Sequence, residues 1–172
     1  MPRIAMPALI ALALAGCSTI DNRTTSLGTA QLVDAEGRAV GTASFSRRGG
    51  GTTASITISG SPGAVHGMHL HAVGKCEAPF TSAGPHLNPG GHQHGKDNPQ
   101  GAHLGDLPNV TIDATGQGVA SASLGMDPAA VDAALFDADG TSVVLHAAAD
   151  DYRTDPSGNS GARIACGVLK RG

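Results

Sequence analysis

The sequence predicts an all-β domain, an eight-stranded antiparallel sandwich or barrel carrying two long functional loops. Three observations point there. Short stretches alternate with period two, no long helical repeat interrupts them, and twenty-five glycines among frequent Ser and Thr supply tight turns. A chain of 172 residues holds one domain with a proper core and is too short to expect two. With no Trp, one Tyr and three Phe, that core has to be built from Val, Ile, Leu and Ala.

The elements follow in order. Thr29–Val33 reads as a first strand, turned at Glu36-Gly37 into a second over Ala39–Phe45. Thr53–Ile58 and Val65–His71 alternate with period two. Val110–Ile112 and Gly118–Leu124 flank Thr115-Gly116-Gln117, a hairpin signal, and Ser142–Ala147 and Ala162–Leu169 are the last two strands. Asp127-Pro128 starts a short helix, with Asp as N-cap and Pro in the first turn. Two irregular stretches remain, Cys76–Gly105 and Asp150–Gly161. Loops this long in a compact domain are functional or disordered, and the histidines of the first favour function.

Met1 to Gly16 reads as an export signal, with one positive charge at Arg3 and a mostly apolar stretch from Ala5 to Ala15. That stretch is too short to span a bilayer comfortably. Leu14-Ala15-Gly16-Cys17 has the form of a lipobox, in which cleavage leaves Cys17 as the lipidated first residue; an ordinary signal cut at a small residue is the plainer alternative. The expected organisation is a signal over residues 1–16, lipidated Cys17 with a polar tether over 17–27, and one domain over 28–172. Ser18 after Cys17, where an Asp is absent, resembles lipoproteins held in the outer membrane and facing the periplasm. Loss of Arg3 takes the net charge from −3 to about −4, and no basic stripe argues for nucleic acid.

Setting Cys17 aside leaves Cys76 and Cys166, an even pair in an oxidising compartment, either joined or left as two buried thiols. Joined, they close a loop worth about 4–5 kcal/mol in the chain-entropy model.

Seven of eight histidines lie between His66 and His103, and His146 ends the apolar run Val143-Val144-Leu145. Imidazole is the commonest metal ligand at physiological pH. His69 and His71 stand at i and i+2 of a strand and so share a face. A purely histidine set suits copper, while three imidazoles with a carboxylate suit tetrahedral zinc, so the count points to a binuclear site.

The motifs Gly67-Met68-His69-Leu70-His71, Ala83-Gly84-Pro85-His86-Leu87-Asn88-Pro89, His103-Leu104-Gly105-Asp106, Val143-Val144-Leu145-His146 and Gly161-Ala162-Arg163-Ile164-Ala165-Cys166-Gly167 occur in order. Over Gly28 to Lys170 the chain resembles the copper/zinc superoxide dismutases in their bacterial periplasmic form. The resemblance implies a Greek-key barrel that dismutes superoxide, a small anion, to oxygen and hydrogen peroxide, as a monomer or homodimer. It implies copper ligands at His69, His71, His86 and His146, zinc ligands at His86, His94, His103 and Asp106, and His86 as the bridge between the ions. Asp150 matches the carboxylate linking His69 to His94, Arg163 the guanidinium that receives substrate, and Cys76–Cys166 the family disulfide. In the family mechanism the bridging ring leaves copper on reduction, takes up a proton and donates it toward peroxide.

His66 matches a structural histidine bonding across to backbone, and His92 is an exposed neighbour or an extra metal-capture group beside His94. Tyr152 is expected to pack the loop after His146. Because the mature chain is acidic, local positive potential must guide the substrate, with Arg163, Lys75 and Lys96 as candidates. A non-catalytic lipoprotein that buffers or delivers copper and zinc is the alternative function, and an all-zinc structural module conflicts with His146 and Arg163.

Overall fold

The computed structural model describes residues 23–125 and 127–172. The expected export signal over residues 1–16, Cys17 and residues 18–22 of the expected tether lie outside the described residues. The chain forms β1 (Thr25–Asp34), β2 (Ala39–Arg48), β3 (Gly51–Ser59), β4 (Val65–His66), β5 (Met68–His71), β6 (Val110–Thr111), β7 (Gln117–Leu124), α1 (Pro128–Leu135), β8 (Ser142–His146), β9 (Arg163–Val168) and β10 (Lys170–Arg171). A single 3-10 turn at Thr81–Ala83 interrupts the first long loop.

The strands pair antiparallel in the order β5-β8-β9-β1-β2-β3-β7, with β10 also on β1. β6 runs through a tight turn into β7, where the Asp113 amide donates to Gln117 O (2.8 Å) and Gly116 takes φ 81°. β6 also pairs with β4, which leads straight into β5, so the sheet curls round on itself. Taking β4–β5 and β9–β10 as one strand each gives the expected eight. Connections from β3 to β4 and from β7 to β8 cross between non-neighbouring strands, the Greek-key pattern.

Sequence explains most of this locally. Asp34 Oδ1 accepts the amides of Glu36 and Arg38 at the first turn, and Gly37 there has φ 80°. Asp127 caps α1 by accepting the amides of Ala129 and Ala130 (3.0 and 3.1 Å), with Pro128 next in line.

Two readings are corrected. β1 begins at Thr25 and Leu27 is buried in the core, so the folded domain starts before the expected residue 28. The stretch Val65–His71 does not keep one pairing partner, passing from β6 to β8. Gly67 switches partners: its amide donates to Ala148 O (2.8 Å) and its carbonyl accepts the His146 amide (2.9 Å). A Cβ there would stand 2.9 Å from Ser160 Cβ, so only glycine allows the approach.

The core is aliphatic, as the composition requires: Leu32, Ile56, Ile58, Met68 and Leu70 around Phe45. A smaller cluster of Phe80, Ala83, Val144 and Cys166, with Cys76 packed against it, lies under the first long loop.

Candidate metal centre

β5 is buried on both faces. Met68 and Leu70 belong to the main core, and His69 and His71 take the other face. β5 pairs with β8 so that His69 lies opposite Val144, and β8 ends at His146, opposite Arg163 across a bulge. His86 arrives from the first long loop through an isolated bridge to His71. His69, His71, His86 and His146 each present a ring nitrogen within 4.8 Å of all the others, and all four rings are buried.

Hydrogen bonds decide which nitrogens converge. His71 Nδ1 faces Gly84 O (2.9 Å), His146 Nδ1 faces Gly161 O (3.2 Å), and His69 Nε2 faces Asp150 Oδ2 (2.8 Å). Each of those nitrogens must carry the proton, because the acceptor is an oxygen. The other nitrogens, His69 Nδ1, His71 Nε2 and His146 Nε2, together with His86 Nε2, are buried with no hydrogen-bond partner among the described residues. Native interiors rarely leave such atoms bare, so four in one place call for an electrophile. The set fits a copper ion.

A second set gathers on Asp106. Its Oδ1 lies 3.0 Å from His86 Nδ1, 2.9 Å from His94 Nδ1 and 3.2 Å from His103 Nδ1, and His86 Nδ1 lies 3.4 Å from His103 Nδ1. Ligands at zinc's ordinary bond lengths sit roughly 3.3–3.4 Å apart at the corners of a tetrahedron, so this set fits zinc. His69 also comes within 4.8 Å of His86, His94 and Asp106. However, its Nε2 faces Asp150, and its bare Nδ1 belongs with the first set. His103 therefore completes the second. His86 stands in both sets, one nitrogen in each.

Asp150 ties the two sets together, with Oδ2 on His69 and Oδ1 on His94 Nε2 (3.0 Å). Asn109 holds it there: its Oδ1 accepts the Asp150 amide (2.8 Å) and its Nδ2 donates to Asp150 O (2.9 Å). Gly158 has φ 62°, and a Cβ there would collide with the Asp150 carboxylate.

The family model described as copper/zinc superoxide dismutase (SODC) matches residues 39–169. The chain belongs to the copper/zinc superoxide dismutase family. It is 38% identical over 146 residues to the Cu-Zn superoxide dismutase 2 of Aquifex aeolicus, covering 82% of this chain and 85% of that one. Identity to the Cu-Zn superoxide dismutase of Deinococcus radiodurans is 35% over 174 residues, covering 94% and 92%. A superoxide dismutase-like protein from Bacillus subtilis of known structure superposes with a TM-score of 0.76 at 38% identity, covering 85% and 100%.

Charge in this superoxide dismutase centre is sorted by burial. Burial pushes His71 down to about 2, His146 to about 3 and His86 to about 4, so these rings are neutral at physiological pH and offer lone pairs. Burial also works against a charged His94, but Asp106 and Asp150 outweigh it and raise the ring to about 9. Despite their burial, Asp106 and Asp150 are held well below the usual carboxylate range, chiefly by the histidines they face.

Zinc loading of the metal-free protein should therefore release close to one proton at pH 7.5, where His94 is still charged, and the release should fade above pH 9. If His86 gives one nitrogen to each ion, its neutral ring would release a further proton once copper follows. Titration calorimetry in buffers of different ionisation enthalpy reads both steps. Zinc binding without proton uptake by buffer at pH 7.5 would contradict a charged His94.

Replacement of Asp150 by Asn should lower affinity for both metals about 10–100-fold. An amide offers one oxygen to two ring N–H donors and turns its NH₂ against the other. Competition with a chromophoric chelator measures it, and unchanged affinity would remove Asp150 from the account.

Arg163 lines a cleft of about 900 Å³ together with His71, His86 and His146. Its two terminal nitrogens donate to Phe80 O and Gly84 O (2.7 Å each), which fixes the guanidinium plane against the first long loop. The Cys76–Cys166 disulfide staples the same loop to β9. Lys75 pairs with Glu77 (3.0 Å), and Lys96 pairs with Asp97 (2.9 Å) while lying over the Tyr152 ring. Neither lysine lines the cleft, whose lining holds Arg163 as its one Lys or Arg among the described residues.

His92 is exposed at the cleft rim, its backbone held by Asn88. His66 Nδ1 lies 2.8 Å from His146 O, across to backbone. Tyr152 Oη accepts the Asn109 amide (2.7 Å) and so packs the loop after His146. Asn109 and Asp155, whose Oδ1 accepts the His94 amide (2.7 Å), belong to none of the sequence motifs. Asn109 sits three residues after Asp106, and that adjacency was the only available signal.

Proposed function

We propose that this domain dismutes superoxide at a copper held by His69 Nδ1, His71 Nε2, His86 Nε2 and His146 Nε2. Zinc would be held by His86 Nδ1, His94 Nδ1, His103 Nδ1 and Asp106 Oδ1. The observation that carries the reading is the convergence of four bare, buried ring nitrogens beside a cleft that Arg163 lines. A copper ion held there would supply the one-electron redox chemistry that dismutation needs.

The protein supplies the rest. Arg163 stays charged although burial lowers its pKa, and it draws the anion into a cleft of an otherwise acidic molecule. His86 holds a proton at Nε2 when that nitrogen is free and passes it toward the peroxide oxygen. Its Nδ1 side, fixed by the Asp106 group, keeps the ring aimed. Two superoxide ions and two protons give one oxygen and one hydrogen peroxide, so one further proton comes from water.

The lipobox form of Leu14-Ala15-Gly16-Cys17 supports anchoring through lipidated Cys17, and Ser18 supports an outer-membrane, periplasm-facing address that protects that compartment from superoxide. Incorporation of labelled palmitate, abolished in Cys17→Ser, tests the anchor. Superoxide decay after pulse radiolysis, with the copper- and zinc-loaded protein, tests the activity. Copper binding with decay no faster than buffer would make this a metal-buffering or delivery protein.

A further inference from the structure

Two cavities meet at the metal centre. Beside the large cleft, a smaller hollow of about 370 Å³ lies between the first long loop and the end of β7. His92 and His103 line both cavities. Asp106 lines the hollow, and His69, His71, His86 and His146 do not. The hollow therefore opens onto the zinc set and away from the copper set. Within the zinc set, the His103 side chain keeps 7% of its surface exposed, against 4% for His86 and Asp106 and none for His94. An ion arriving from water meets His103 first.

His92 stands at this opening. Asn88 fixes its backbone twice, accepting the His92 amide (3.0 Å) and donating to His92 O (2.8 Å). The side chain is exposed, and among the described residues its ring has no hydrogen-bond or ion-pair partner. That ring lies against Gly90, which also lines the hollow; a Cβ on Gly90 would come within 2.7 Å of His92 Nε2. Glycine at 90 thus leaves room for an imidazole at the rim. His92 belongs to neither group of mutually close ligand atoms, so it has no place in the finished cage.

We propose that His92 is a capture ligand for zinc, taking the hydrated ion at the mouth of the hollow and passing it to His103 and Asp106. The proposal rests on the reading of His86, His94, His103 and Asp106 as the zinc set. Two imidazoles and a carboxylate are ordinary zinc donors. Once a first ligand holds the ion, each later exchange of water for ligand is intramolecular and proceeds at a high effective concentration. The bond to His92 breaks as the inner imidazoles bind. Because His92 is absent from the final set, it speeds entry and exit alike and leaves the equilibrium unchanged.

The test uses the full chain stripped of metals, mixed rapidly with zinc ion alone in the presence of a chromophoric zinc indicator. His92→Gln should slow zinc uptake about tenfold, the lower end of what losing a supporting group costs a metal site. Release to excess chelator should slow by the same factor, so the zinc Kd stays that of the parent. His92→Glu puts a donor back and should restore both rates. Copper uptake, measured in the same way, should be equal in all three proteins. Parent-like zinc rates in His92→Gln refute capture and leave the zinc set standing. A His92→Glu variant as slow as His92→Gln, a weakened zinc Kd in His92→Gln, or equal slowing of copper also overturns the proposal. A parent that takes up no zinc overturns the zinc set and the proposal together.

Discussion

His146→Ala is expected to cut the catalysed decay of superoxide by at least about a hundredfold, since loss of a mere supporting partner at a metal site already costs up to that much. The variant deletes one of four converging nitrogens and leaves a void among buried rings that no neighbour fills. The fold should survive, because His146 is held through its backbone: its amide donates to Gly67 O (2.9 Å) and its carbonyl accepts His66 Nδ1 (2.8 Å). Those bonds do not involve the deleted ring. Copper content should fall and zinc content should not, as His86, His94, His103 and Asp106 are untouched. Pulse radiolysis and metal analysis on the same preparation read the two effects. Parent-like decay would show that the copper set is drawn wrongly, and parallel loss of both metals would show that the two sets are not separable.

Cys76→Ser is expected to have the largest effect on stability. The disulfide closes a separation of 90 residues, worth about 4–5 kcal/mol in the chain-entropy model. At the scale of this domain, that corresponds to about 10–20 °C in Tm. A second effect should accompany it. Cys76 begins the loop whose Phe80 and Gly84 carbonyls accept from Arg163, and Gly84 O also accepts from His71 Nδ1. Loosening that loop frees the guanidinium from its plane and one copper-side ring from its tautomer. Thermal unfolding of parent and variant, with and without reductant, measures the first effect. The salt dependence of superoxide decay measures the second, being weaker where Arg163 no longer faces the cleft. A variant with the parent's Tm would mean that packing of Phe80, Ala83 and Val144 already pins the loop.

Local chemistry made the strands and turns legible. Period-two alternation marks the strands, Glu36-Gly37 and Thr115-Gly116-Gln117 mark turns, and Asp127-Pro128 marks the start of α1. Each depends on neighbours within a few residues. The errors came where a distant segment intervened. Thr25 and Ser26 look like tether because they are polar and exposed, yet pairing with Arg47 and Ser46 makes them strand. Val65–His71 alternates without a break, yet its pairing passes from β6 to β8 at Gly67, where a Cβ would meet Ser160.

The sequence by itself determined the barrel's aliphatic core, the histidines and carboxylates that the fold gathers, and the family they spell. Tertiary structure alone decided which ring nitrogens converge without a hydrogen-bond partner. Each imidazole has two nitrogens, and the choice lies with oxygens far away in the chain: Gly84 for His71, Gly161 for His146, Asp150 for His69. Only the closed barrel brings those oxygens near, so Asn109 and Asp155, which place Asp150 and His94, leave no mark in a motif. The physical reason is range. Alternation, caps and turns are set by torsions and hydrogen bonds within a few residues, whereas ligand orientation, burial and charge sorting arise from contacts between segments tens of residues apart.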